Sequence, residues 1–188
     1  MHIPYWEFFL SIEDELAQCA RYVEFNDDHS VVYSIAFSRI LLASASEVDI
    51  VAKEICRIIG PDRTPERITE YQPIVLGRFP NFPTMEVRIP RHSMSCKPWE
   101  EWGQGKSPTW WTAYNKVKHE RGKHYRMATL QNALGATTGL LCLLLHYYRV
   151  LFVDPLAIDH PPKLLSPAHY GPGASPQSGW AFTLPDDC

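Results

Sequence analysis

A chain of 188 residues, 45% hydrophobic and 21% charged, can bury a core and is sized for one domain. Its net charge of -3 excludes a protein coated in positive charge for nucleic acid, yet leaves room for a local basic patch. Five cysteines, odd in number, far apart and without a C-x-x-C pair, argue against a zinc centre or a disulfide framework and for reduced thiols in a cytoplasm.

In chain order, Pro4 to Phe25 reads as a first helix. Trp6, Phe9, Leu10, Leu16, Ala20 and Val23 form its apolar face. Glu13, Asp14 and Glu15 form an acidic cluster, expected to be a solvated surface. Asn26-Asp27-Asp28 is a turn, and an Asp or Asn there can cap the next helix. A long helix is expected from Asp28 or His29 to Ile59, because Ile35, Leu42, Val48, Val51, Ala52 and Ile55 keep the helical period. Ser38, Ser44 and Ser46 would let neighbouring helices approach closely. Glu47 interrupts this apolar stretch and is expected to be solvated or paired with Lys or Arg. Gly60-Pro61 ends the helix.

Residues 62–106 differ in composition. Pro65, Pro73, Pro80, Pro83, Pro90 and Pro98 exclude a long helix. Ile74 to Leu76 and Met85 to Ile89 predict a short hairpin. Trp99 and Trp102 then lead through Gly103 and Gly105 to the next helix, so this excursion is expected to form one wall beside it.

That next helix, Pro108 to Arg121, carries W-W-T-A-Y-N-K-V-K-H-E-R from Trp110 onward. Ser107 can cap it, and Pro108 suits a first turn, where a missing N–H costs nothing. Trp110, Ala113, Tyr114 and Val117 make an apolar stripe. Gly122 allows a break. Met127 to Phe152 is a second long helix, almost uniformly apolar from Ala133 to Leu145. That run is shorter than the roughly 20 residues of a membrane span, and Gln131, Asn132, His146 and Arg149 flank it, so a buried core or dimer helix is expected and no membrane partner. Gly135 and Gly139 would let another helix pack closely. Residues 154–188 are rich in Pro and Gly; no helix is expected there, and Trp180 to Leu184 could add a strand to the hairpin.

Asn115 and His119 lie four residues apart and project from one side of their helix, with Trp111 one turn earlier. His119 is suited to acid–base work near neutrality. Asn115 could orient it or hold a substrate oxygen. Lys118 and Arg121 could stabilise a phosphate, because fixed positive charge beside developing negative charge lowers a barrier. Lys116 points away from Lys118 and His119. The same set also reads as the polar face of an ordinary helix, hydrogen-bonding its long neighbours. His119 and His124, five apart, share no face suited to a metal, and no Gly-rich phosphate loop, G-x-S-x-G or H-E-x-x-H is present, so neither metal nor cofactor is expected.

A long helix with S-x-S-E-V-D (Ser44 to Asp49), a Pro-rich excursion, W-W-T-A-Y-N-K-V-K-H-E-R and a Leu/Ala-rich helix together resemble the HEPN superfamily (higher eukaryotes and prokaryotes nucleotide-binding domains). The likeness is to its uncharacterised bacterial members with a Y-N-x-x-K-H signature; it covers roughly residues 5–152, and Tyr114 to His119 is its specific piece. It implies a mainly α fold: a HEPN-like helical bundle on two long helices in residues 1–153, with a strand-containing insertion at about 62–106 and a Pro/Gly-rich C-terminal extension over 154–188. It also implies an RNA-acting protein of a defence or toxin–antitoxin system, often a metal-independent endoribonuclease and otherwise a catalytically silent dimerisation, nucleotide-binding or partner-docking module. The implied partners are RNA or a nucleotide, a second copy of the chain and a defence or antitoxin-type protein. In active members an Arg holds the phosphate, a polar residue such as Asn follows it, and a His four to six residues after the Arg moves protons. Asn115 and His119 match the last two. Tyr114 stands at the Arg position, leaving Lys118 or Arg121 as the phosphate contacts and Tyr114 with Trp111 as the wall of the site.

Overall fold

Two long helices, α2 (Ile35–Ile59) and α5 (Leu130–Leu151), pack along each other and form the axis of the molecule. The computed structural model describes residues 4–60, 62, 65–152, 156–158, 160–167, 170–172 and 180–182. Three further helices surround the pair: α1 (Trp6–Cys19), α3 (Ile68–Arg78) and α4 (Thr109–His124). The chain is mainly helical, as expected.

α2 and α5 bury opposed apolar stripes. Val48, Val51, Ala52 and Ile55 on α2 are fully buried, as are Leu141, Cys142, Leu143 and Leu144 on α5. Each of the Val, Ile and Leu side chains among them contributes about 1.5–3 kcal/mol by leaving water. Ser44 and Thr137 share a buried hydroxyl hydrogen bond of 3.0 Å between the two helices. Ser38 is buried as well, whereas Ser46 is exposed and eases no packing. Glu47 is half-buried, and burial raises its pKa. Among the described residues α5 is the helix long and apolar enough to cross a membrane, but 83% of its apolar window lies inside the fold.

α2 begins at Ile35, not near Asp28 or His29, for a local reason. The first N–H groups of a helix need partners outside it. Those of Leu130 and Gln131, opening α5, donate to the carbonyls of Val32 and Ser30 at 2.9 and 3.0 Å. Residues 30–34 must therefore stay outside any helix, closing a turn at Ser30–Val31 and then running beside α5, before Ser34 caps α2 by accepting from the Phe37 N–H at 3.0 Å. Thr129 caps α5 in the same way, from the Asn132 N–H. α1 closes at Cys19, earlier than Phe25, through a turn of three-residue hydrogen bonds from Ala20, Arg21 and Tyr22.

The excursion departs from expectation. Ile74 to Leu76 belong to α3, not to a hairpin, even though Pro73 sits inside that helix. Ile68, Tyr71 and Val75 recur at helical spacing and are buried, and this burial outweighs the hydrogen bond that Pro73 cannot make. The hairpin lies later: β1 (Val87–Ile89) pairs antiparallel with β2 (Met94–Cys96), Arg88 opposite Ser95. The third strand on β1 is β4 (Ser166–Pro167). The expected tail strand exists in part: β6 (Trp180–Phe182) joins β3 (Leu156–Ile158) and β5 (Tyr170–Pro172) in a second sheet, not the hairpin; Leu184 lies outside the described residues.

Glu13 is a second departure. It is buried, and its carboxylate accepts from three successive backbone N–H groups, those of Lys163, Leu164 and Leu165, at 3.0, 2.8 and 2.9 Å. The Trp6 indole adds a hydrogen bond to the His160 carbonyl at 2.9 Å. The segment after the helical body is thus tied to α1 by an acidic side chain.

Gly135 and Gly139 do seat a neighbour closely, and that neighbour is the Trp110 indole of α4. A Cβ on Gly135 would lie 2.8 Å from Trp110 Cδ1, and one on Gly139 would lie 3.0 Å from Cζ2. The Trp110 N–H is committed to the Pro98 carbonyl at 2.8 Å, so the ring cannot turn away freely. Gly135→Ala is therefore expected to lower stability by about 1–3 kcal/mol, the usual cost of overpacking, measurable as a lower urea midpoint.

Candidate functional site

α4 sets the geometry. Its N-terminus is capped by Glu101, not Ser107: the carboxylate accepts from the Thr109 N–H and from the Thr109 hydroxyl, both at 2.6 Å. A carboxylate also suits the positive end of the helix dipole. Trp110, Ala113, Tyr114 and Val117 are buried, as their spacing predicts. Trp110 stacks edge-on against Trp99 (5.2 Å between centroids), whose own N–H donates to the Gly139 carbonyl at 3.0 Å. The helix departs from regular geometry at Glu120 (φ -136°, ψ 51°), two residues before the glycine expected to break it.

Four of the predicted residues line one cleft of about 410 Å³: Trp111, Tyr114, Asn115 and Lys118. Facing them are Asp49 of α2 and residues 66–69, where α3 begins. One wall does come from the excursion, but from its start and not from Trp99 and Trp102, which are buried. The Lys118 ammonium donates to the Tyr114 hydroxyl at 3.1 Å and lies 5.2 Å from its ring centroid. That hydrogen bond, with Asp49 adding its charge, raises the Lys118 pKa. The Asn115 amide donates to the Trp111 carbonyl one turn back at 3.2 Å. Asp49 is occupied on both oxygens, accepting from the Tyr71 hydroxyl at 2.8 Å and from Lys53 at 2.7 Å. Burial, then this hydrogen bond, pushes the Tyr71 hydroxyl pKa up.

His119 and Arg121 are not in this cleft. Both are exposed, His119 one turn beyond Asn115 and Arg121 past the break at Glu120. The cleft thus brings together the wall, the amide and one cation, and leaves the imidazole outside. In the sequence Asp49 stands out only as the last residue of the S-x-S-E-V-D stretch. Its spacing of four from Lys53 was the available signal, and only the fold shows that it meets α4 and Tyr71.

Beyond the cleft the surface is basic. From Lys116 to Arg126 the chain holds five Lys and Arg and one carboxylate, Glu120, in a protein of net charge -3. Lys116, Lys118, Arg121, Lys123 and Arg126 are all exposed, and Lys123 alone of them meets Glu120, at 2.7 Å. A second cavity of about 500 Å³ lies between β2, the start of α4 and α5, lined by Cys96, Trp110, Asn132 and Gly135 among others, and contains none of the predicted residues. Among the described residues no group of three or more His, Cys, Asp or Glu could hold a metal ion.

No family model matches the chain, and no curated protein or solved structure matches it either.

Proposed function

We propose that this protein acts on RNA as a HEPN-like module, holding the phosphate backbone along the exposed, basic C-terminal half of α4. The observation that carries this reading is the concentration of cations at Lys116 to Arg126, all five on the surface, against an acidic whole. Phosphate contacts need charge of this kind locally, not over the whole protein. Lys118, held by its hydrogen bond to the Tyr114 hydroxyl, and Arg121 are the backbone contacts.

The arrangement favours binding over cleavage. A metal-independent ribonuclease needs a proton-transfer group and a phosphate-holding cation aimed at one point. His119 stands in solvent outside the cleft, the Asn115 amide is spent on its own helix, and Tyr114 occupies the position of the family's Arg. A second reading, cleavage by His119, draws on its accessibility beside Lys118. Incubating a labelled single-stranded RNA with the protein in excess EDTA separates the two. Bound but intact RNA is expected. Products with 2′,3′-cyclic phosphate ends, lost in His119→Ala, would establish cleavage. Neither binding nor cleavage across several RNAs would remove RNA from the account and leave a dimerisation or partner-docking module.

A further inference from the structure

The basic stretch of α4 ends on aromatic rings. Tyr125 follows the last residue of the helix, and Tyr33 packs against it edge to face, with ring centroids 5.5 Å apart and planes at 86°. The pair is fixed by backbone. Tyr33 forms a bridge opposite Thr129, and the Ser34 N–H donates to the Ala128 carbonyl at 3.3 Å. The segment of residues 30–34 that supplies partners to α5 therefore also presents Tyr33. Tyr33 as a residue is 43% exposed, flanked by Val31 at 70% and Ile35 at 74%. Lys123, paired with Glu120, and Arg126 stand on either side of Tyr125 in the chain, both exposed.

An exposed ring held at right angles to a second ring is an ordered surface, costing little entropy to use. Cations near Tyr125 in the chain favour an anionic partner that also carries a planar apolar group. A nucleotide in an unpaired strand has both features, and stacked aromatics beside a basic track are how proteins hold single strands without reading sequence. We propose that Tyr33, braced by Tyr125, is the stacking platform for an unpaired base of a single-stranded RNA whose phosphates follow the cations of α4. This deepens the RNA reading of α4 and rests on it. It names the substrate as unpaired RNA, and it identifies a contact residue some eighty positions away in sequence from the motif that suggested the function.

The test uses fluorescence anisotropy with a labelled single-stranded oligoadenylate, the same RNA annealed into a duplex, and phosphatidylserine vesicles. The protein is the full chain as wild type, Tyr33→Ala and Tyr33→Trp, each checked for an unchanged thermal melt. Tyr33→Ala should bind the single strand about tenfold more weakly, and Tyr33→Trp as tightly as the wild type or more so. The Trp variant guards against a loss caused by disturbed folding. Duplex affinity should be unaffected by either change. If wild type and both variants bind the single strand equally, the platform is refuted while the basic helix keeps its role. If the wild type binds no RNA, the RNA reading itself falls and takes the platform with it. Vesicle binding that depends on Tyr33, with RNA binding indifferent to it, would overturn the proposal in favour of a membrane surface.

Discussion

Glu13→Ala is expected to destabilise the protein by about 3–5 kcal/mol and to free the segment at 160–167 from α1. The carboxylate is 2% exposed and is the acceptor for three consecutive N–H groups. Such charge-assisted bonds are stronger than neutral ones, and successive N–H groups converging on an anion make a small anion-binding concavity. Removing the acceptor leaves the buried Leu164 and Leu165 N–H groups without partners, at about 1–3 kcal/mol each. The segment can avoid part of this cost by detaching, taking β4 away from β1. Hydrogen exchange at Leu164 and Leu165 should then accelerate far more than exchange in α2 or α5. Glu13→Gln, which keeps an acceptor oxygen, should fall between. Unchanged exchange at these two amides in Glu13→Ala would show that the carboxylate does not hold the segment.

The second large effect is acid sensitivity from His146. This residue is fully buried in α5, its Nδ1 facing the Cys142 carbonyl at 2.8 Å, its Nε2 without a hydrogen-bond partner among the described residues, and its ring edge-on to Phe79 and Phe82. Desolvation pushes its pKa down to about 4. The sign follows from which state binds the proton. Above the ordinary value of about 6.5 both folded and unfolded chains hold a neutral imidazole, and His146 imposes no penalty. As pH falls below that value the unfolded chain takes up a proton and the folded chain does not, so stability drops until about pH 4, where the folded state protonates too. At 1.36 kcal/mol per pH unit the total loss is roughly 3 kcal/mol. His146→Leu, close in volume, should cost less than about 1.5 kcal/mol at pH 7 and should lose roughly 3 kcal/mol less than the wild type between pH 7 and pH 4. Urea midpoints across that range measure both quantities; parallel pH profiles would contradict the assignment.

The two long helices and the buried stripe on α4 were legible because their side chains repeat at 3.6 residues and nothing local opposes that period. Gly135 and Gly139 announced a close approach, though only the fold shows that an indole fills it. Pro73 was misleading. A proline argues for strand or turn, and the tertiary burial of Tyr71 and Val75 overrides it. The beginning of α2 was set by the needs of a helix nearly one hundred residues later, which no local pattern reports. Glu13 could have been found. It falls in the apolar phase of α1 with Phe9, Ile12 and Leu16, and a carboxylate in that phase is either paired or clamping something. Treating it with Asp14 and Glu15 as one acidic cluster hid that signal. Of the candidate site, Trp111, Tyr114, Asn115 and Lys118 do share a cleft, as helical spacing suggests. Spacing cannot say that the cleft ends before His119, because that depends on where α2 and α3 lie.

The most direct test of RNA contact along α4 and the turn that follows it is the salt dependence of single-stranded RNA affinity for the wild type and for a Lys118→Gln, Arg121→Gln, Arg126→Gln variant. With about four phosphates engaged, the logarithm of the wild-type affinity should fall with the logarithm of salt concentration at a slope near -3, and the variant's slope should be shallower by about 2. Identical slopes in the two proteins, or a wild-type affinity indifferent to salt, would mean that the basic end of α4 does not hold the RNA backbone.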